Sequence, residues 1–288
     1  MPCHIHPGRD RFLDTRRNTM RLKGAVGRGL SLLLLGSSLA CAGCSDNGGD
    51  GKGKDDSGTN NPGVETNVVK GKVVDTAGRP LAGAEVVADN QFLYDSNVVG
   101  TTGADGTYRL DLGKAGVTWS ASATFKRQYN GKTYTFDLHP SNPALFATNE
   151  GAVRDFSWKL TGERPEGGKY GSDVLFNMIA YEDPQDPDAP LDHLNVELTL
   201  TPDGPLVDGS TGAPLTARAT RDGNGTGLHD VPVGRYTITA RYAPSGRPAQ
   251  PLLVRVNNTG SYANSVTTDF QIVTESVYRI DLDLDFPK

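Results

Sequence analysis

The sequence predicts an all-β chain folded as two tandem antiparallel β-sandwiches, and three observations predict it. From Val68 onward apolar residues recur with a period of two, the mark of half-buried strands. Turn residues break these runs at close intervals, as in Ala104-Asp105-Gly106, Asn130-Gly131 and Asp222-Gly223-Asn224-Gly225. Composition agrees: 35 Gly and 18 Pro against 3 Met favour many turns and few long helices. With 36% hydrophobic residues in 288, the chain can bury a core in each of two modules.

Residues 1–43 are read as a leader. Arg21, Lys23 and Arg28 form a positive segment ahead of the apolar run Gly29–Leu39, which is too short to span a bilayer and suits a secretory signal. The stretch before Met20 resembles no targeting sequence and reads as an upstream start-codon artefact. The leader carries seven Lys/Arg against two Asp/Glu, which leaves 22 basic and 32 acidic side chains for the rest. A body that acidic argues against nucleic acid as partner.

The junction Leu39-Ala40-Cys41-Ala42-Gly43-Cys44 resembles a bacterial lipobox, in which a cysteine after small residues is acylated and becomes the new terminus. Cys44 is the preferred acceptor and Cys41 the alternative. Cleavage near Ala42 by the ordinary secretory route is a third reading. All three cysteines lie in or before this segment, so the body holds no disulfide and no thiolate metal site. Acylation implies the membrane as a partner, through the lipid anchor. Ser45 follows Cys44, so the Asp that marks inner-membrane retention is missing and the expected address is the outer membrane or cell surface of a bacterial envelope. Residues 44–66 are rich in Gly, Asp, Asn and Lys with almost nothing apolar, and are expected to be a disordered tether.

The first module is expected at 67–161. Tyr108, Leu110 and Leu112 alternate with polar neighbours, as do Trp119, Ala121, Ala123 and Phe125, and later Phe156, Trp158 and Leu160. Asn130-Gly131 marks a hairpin. Within this module the run Gly71-Lys72-Val73-Val74-Asp75-Thr76-Ala77-Gly78-Arg79-Pro80-Leu81-Ala82-Gly83-Ala84-Glu85-Val86, with Thr102, Asp105, Gly106 and Tyr108, resembles a carboxypeptidase regulatory-like domain. The resemblance implies a sandwich of the transthyretin (prealbumin-like) type, an accessory module whose usual zinc peptidase has no counterpart in this chain.

A Gly/Pro/Glu-rich linker, 162–169, separates this module from the second at 170–288 and is expected to be open to proteolysis. Val196, Leu198 and Leu200, then Tyr236, Ile238, Ala240 and Tyr242, then Tyr278 through Phe286 repeat the alternation. Val231-Pro232-Val233-Gly234-Arg235-Tyr236 is similar to the close of regulatory-like and collagen-adhesin B-type repeats, so this module is read as a diverged, prealbumin-like or Ig-like relative.

Chemistry is sparse in the sequence. His139, His193 and His229 show no metal spacing, and no nucleophile elbow, P-loop or dinucleotide fingerprint occurs. The expectation is therefore a protein that is not an enzyme, with no catalytic residues, no metal and no cofactor. Asp183–Asp188 and Asp222–Asn224 offer oxygen ligands for calcium but follow no calcium-loop pattern, so solvated acidic loops are preferred. Lys70 or Lys72 with Glu85 and Asp155 could imitate the isopeptide triad of some adhesins, although exposed strand charges account for them more simply. Trp119 and Trp158 are in phase with the core. Tyr94, Tyr129 and Tyr262, expected in or near loops, are the candidate ligand-binding residues for a protein or a glycan. The alternative is a purely structural spacer or assembly component of the envelope. Oligomeric state is not encoded in these features.

Overall fold

The computed structural model describes residues 63–288. The leader, the lipidation candidates Cys44 and Cys41, and most of the tether lie outside the described residues. The remainder is all-β, with one short 3-10 turn at His193–Asn195.

The first sheet system contains β1 (Val68–Val74), β2 (Glu85–Asn90), β3 (Val98–Thr101), β4 (Thr107–Asp111), β5 (Thr118–Tyr129) and β6 (Lys132–Pro140). Three short strands complete it: β7 (Phe146–Ala147), β8 (Ala152–Val153) and β9 (Phe156–Ser157). Its strand order is β3-β2-β5-β6-β9-β1-β4, so β9 joins the β2/β5/β6 face to the β1/β4 face.

The second comprises β10 (Ser172–Met178), β11 (Glu182–Asp183), β12 (Asp186–Pro190), β13 (Val196–Pro202), β14 (Leu215–Arg218), β15 (Thr220–Arg221) and β16 (Thr226–Val231). It continues with β17 (Arg235–Tyr242), β18 (Gln250–Val256), β19 (Thr259–Ala263), β20 (Val266–Asp269), β21 (Gln271–Thr274) and β22 (Val277–Asp285). The order here is β14-β13-β17-β18-β22-β10-β16, with the two-residue β15 added at the β16 edge. Element for element this is the order of the first module, with the β11–β12 hairpin inserted between the first two long strands. The faint similarity of the second module thus has a topological counterpart.

In both modules the alternating apolar residues point inward. Val86, Ala88, Tyr108, Leu110, Trp119 and Phe156 are buried in the first, and Val196, Leu198, Ile238, Ile280, Leu282 and Leu284 in the second. Parallel pairing involves only the opening strand of each module. β1 runs parallel to β8 and β9, and β10 runs parallel to β22 from Asp173↔Arg279 to Met178↔Leu284. First and last strands that run the same way put a module's entrance and exit at opposite ends.

Glu65, within the expected tether, belongs to the folded module. Its carbonyl accepts the Val68 N–H at 3.2 Å, and its carboxylate pairs with Arg109 and with Lys70 at 3.6 Å. The 162–169 segment folds back on itself instead of running open. Arg164 N–H donates to the Gly168 carbonyl and Tyr170 N–H to that of Gly162. The Asp230 carboxylate, on a residue at φ +61°, accepts N–H groups from Gly162 and Gly171, each at 2.9 Å.

Candidate binding surfaces

The motif residues of the first module work on the fold. Asp75 accepts the N–H groups of Ala77 at 2.9 Å and Arg79 at 2.8 Å, closing a turn that needs Gly78 at φ +76°. Thr102 is buried; its hydroxyl donates to the Leu81 carbonyl at 2.7 Å and accepts from Ala84 N–H at 3.0 Å. A Cβ on Gly106 would lie 2.6 Å from the Val73 carbonyl oxygen, so only glycine fits there. The buried Tyr108 hydroxyl donates to the Arg154 carbonyl at 2.6 Å. Each residue fastens a turn or corner, and none presents a reactive group to solvent.

Of the candidate tyrosines, Tyr129 lies at the junction of the two modules. Its hydroxyl donates to the Pro205 carbonyl at 2.8 Å and accepts from Arg235 N–H at 3.0 Å. The neighbouring Tyr134 hydroxyl donates to the Phe270 carbonyl at 2.8 Å. Tyr278, from the second module, meets the open edge of β6: its hydroxyl accepts Thr135 N–H at 2.5 Å and donates to the Thr135 carbonyl at 2.7 Å. Its ring packs edge-on against Tyr134 at 4.9 Å and against Phe136 at 5.7 Å, and Phe136 packs against Trp158 at 5.1 Å. Alternation marks these rings as inward or outward but cannot say that a second module covers them.

Tyr262 lies on β19 under the Arg255 guanidinium, 4.6 Å from its ring centre, and its hydroxyl is buried without a hydrogen-bond partner. Burial raises its pKa above the usual phenol range, opposed by the Arg255 cation and reinforced by the nearby Asp283 and Asp285 carboxylates. It is half-buried and distant in the fold from Tyr94, so the three candidates do not converge on one site.

Tyr94 is fully exposed at the tip of the β2–β3 loop, between Leu93 (54% exposed) and Asp95, with Phe92 72% exposed beside them. The tip is nevertheless held. The Asn90 side-chain oxygen accepts the N–H groups of Phe92 at 3.0 Å and Leu93 at 3.1 Å, the Ser96 hydroxyl donates to the Leu93 carbonyl, and Asp95 turns at φ +54°.

A second exposed group lies at the far end of the second module, where sequence reading offers only the acidic loop Asp183–Asp188. Tyr181 is 91% exposed and Ile179 45%, both just after β10. At the same end Pro184, Gln185, Ala249, Pro251, Phe286 and Pro287 line an open cleft of about 280 Å³. Asp183, the first acid of the loop expected to be solvated, sits next to this cleft in sequence and is buried instead. The carboxylate is buried, takes N–H groups from Gln185 and Gln250 at 2.9 Å each, and sits 2.8 Å from the Arg247 guanidinium. Burial acts to raise its pKa, but these hydrogen bonds and Arg247 outweigh it and hold the carboxyl below its usual range. An arginine thus stands where a cation ligand set would need its metal. The clue available in sequence is Tyr181 beside a loop of three prolines.

The structure does place acids beside a histidine, which sequence spacing does not reveal. His229 Nδ1 lies 2.9 Å from Asp173 and 3.2 Å from Asp222, while Nε2 is buried with no partner. Among the described residues no nucleophile meets that nitrogen, so the pair ties β16 to β10 and to the 222–225 turn. Among the same residues no group of three His, Cys, Asp or Glu is arranged to hold a metal. Lys70 pairs with Glu65, Lys72 and Glu85 are exposed, and Asp155 accepts the Lys72 backbone N–H at 2.8 Å, so the isopeptide triad is not assembled.

No family model matches the chain. No curated protein matches it either. Among solved structures, the Bacillus anthracis TIE protein is similar at 15% identity and a TM-score of 0.30, over 76% of this chain and 34% of that one. This chain therefore spans about a third of that protein's length. A C-terminal fragment of pilus adhesin SpaC from Lactobacillus rhamnosus GG overlaps at 12% identity and a TM-score of 0.25, covering 76% of this chain and 97% of the fragment. A streptococcal ancillary pilin overlaps at 12% identity and 0.23, over 77% and 69% of the two chains. Overlaps this weak assign no role.

Proposed function

We propose that the protein is a non-catalytic lipoprotein of the bacterial cell envelope, in which a fastened pair of β-sandwiches carries a protein-binding surface away from the membrane. The first module is read as a carboxypeptidase regulatory-like sandwich. Its motif residues support that reading, since Asp75, Thr102, Gly106 and Tyr108 all secure turns and corners. Anchoring through Cys44 rests on the lipobox-like junction alone.

The observation that carries the binding role is the distal end. An exposed tyrosine and isoleucine beside a proline-lined cleft form a surface that a passive spacer has no need to maintain. Aliphatic and proline contacts suit a protein partner better than a sugar face. The test is a photoactivatable residue at position 181 in the producing cells, compared with one at exposed Thr239. Discrete adducts at 181 and none at 239 are expected. Absence of adducts at 181, with the protein correctly localised, would establish the spacer reading; an adduct that migrates as polysaccharide would move the ligand to the glycan class.

A further inference from the structure

The β2–β3 tip points back towards the place where the chain enters. Leu112 N–H donates to Asn67 O, Asn67 N–H to Thr148 O, Thr148 N–H to Val117 O and Gln91 N–H to Thr118 O. This set of backbone bonds puts residue 67, four residues after the described chain begins, on the same rim as the loop bearing Phe92, Leu93 and Tyr94. The second module touches the opposite end of β5, at Tyr129 and Asn130. Twelve extended residues separate those ends, roughly 40 Å at about 3.3 Å per residue.

We propose that the Phe92–Tyr94 tip seats in the surface of the lipid bilayer that carries the acyl anchor. The inference rests on the lipoprotein reading above for its geometry. Nineteen residue-to-residue steps lead from Cys44 to Gly63, a covalent reach of at most about 65 Å, so an anchored chain keeps this rim within reach of the bilayer. Aromatic and leucine side chains on a tip fixed by Asn90 and Ser96 present apolar surface without a large ordering cost. Three such side chains bind a membrane weakly alone, but tethering turns the contact into an intramolecular one. Asp89, Asp95, Asp111, Glu150 and the base Lys114 lie on the segments that form this rim, so the surface suits zwitterionic headgroups and contact should be insensitive to salt.

The test reconstitutes the full acylated chain, carrying Tyr94→Trp, into phosphatidylcholine vesicles with bromine-labelled acyl chains. Emission of the new tryptophan should shift to the blue and be quenched at least threefold, unchanged between about 0.05 and 0.5 M salt. Tyr181→Trp in the same chain should show neither effect. Adding Phe92→Ser and Leu93→Ser should abolish the quenching. A second arm uses the full chain with Cys44→Ser at millimolar lipid, where quenching should rise with lipid and fall roughly tenfold on the Phe92→Ser and Leu93→Ser replacements. Quenching in the second arm with no acylation of the unaltered chain detected by mass would overturn the anchor and leave the tip contact standing. An acylated Tyr94→Trp chain whose introduced tryptophan stays unquenched overturns the tip contact and leaves the anchor. Absence of quenching in both arms overturns it outright, as does a blue shift seen only in native membranes that contain protein.

Discussion

Tyr278 and Tyr94 are both tyrosines beside a turn, yet the structure gives them opposite roles. Tyr278 satisfies the N–H and carbonyl of Thr135, so Tyr278→Phe leaves two half-buried backbone groups without a partner. A loss of about 1–3 kcal/mol in urea unfolding is expected, against less than about 0.5 kcal/mol for Tyr94→Ala, whose ring touches solvent alone. Equal losses for the two would contradict the assignment. Asp183 gives the pH counterpart. Its carboxyl is held below its usual pKa, so the unfolded chain binds its proton more tightly than the folded one. That contribution is complete above about pH 5 and is lost as pH falls through the folded value. Arg247→Ala should therefore lower stability near pH 6 by about 2 kcal/mol and flatten the fall in stability between about pH 5 and 3. A parallel downward shift at every pH would remove the pair as its cause. None of these partnerships is visible in sequence, because Tyr278 and Thr135 lie 143 positions apart and Arg247 reaches Asp183 from the distant β17–β18 loop.

At the scale of elements, most of the fold was legible. Strands such as β5 and β22 announce themselves because each inward side chain must be apolar and each outward one soluble, a local constraint written at every second residue. Pairing order is a different matter. The shared order of the two modules comes from non-local hydrogen bonds, and only the turn residues before β4 and β16 hint at it. The linker shows the same limit. Its glycines and prolines read as an open strap, whereas Asp230, on the positive-φ residue before Val231, closes it by accepting from Gly162 and Gly171. Asp230→Ala removes these charge-assisted bonds, so cleavage by trypsin after Lys169 should rise at least fivefold, with stability down by about 2 kcal/mol. A wild-type chain already cut rapidly at Lys169 would show that the clasp does not hold in solution. The candidate site was half legible for the same reason. Local pattern marks Tyr94 and Tyr129 alike as loop residues, and only the docking of the second module, which no local pattern reports, covers Tyr129 and leaves Tyr94 exposed.

The whole molecule follows from the parallel pairing of first and last strands. Because β1 and β9 run together, as do β10 and β22, each module passes the chain from one end to the other, and the two stack lengthwise with the β5–β6 hairpin reaching into the second. The stack places the Phe92–Tyr94 tip at one extreme and Tyr181 at the other, which keeps the proposed membrane contact apart from the proposed partner surface. Its rigidity depends on the junction, where Tyr129, Tyr134, Phe136 and Tyr278 share one aromatic cluster and the Asn130 side chain donates to Asp269 at 2.7 Å. Modules that share buried rings should unfold together, because exposing that cluster costs either module its neighbour's contacts. Calorimetry of the full chain should therefore show one endotherm for the described body. Tyr134→Ala with Tyr278→Ala removes both rings and the hydroxyls that fasten Phe270 and Thr135, so the endotherm should split in two. Thr239→Ala, on the outer face of β17 and away from the junction, should leave a single peak. Two transitions already present in the unaltered chain would mean that the modules are independent, and the distal surface would then be carried on a hinge instead of a strut.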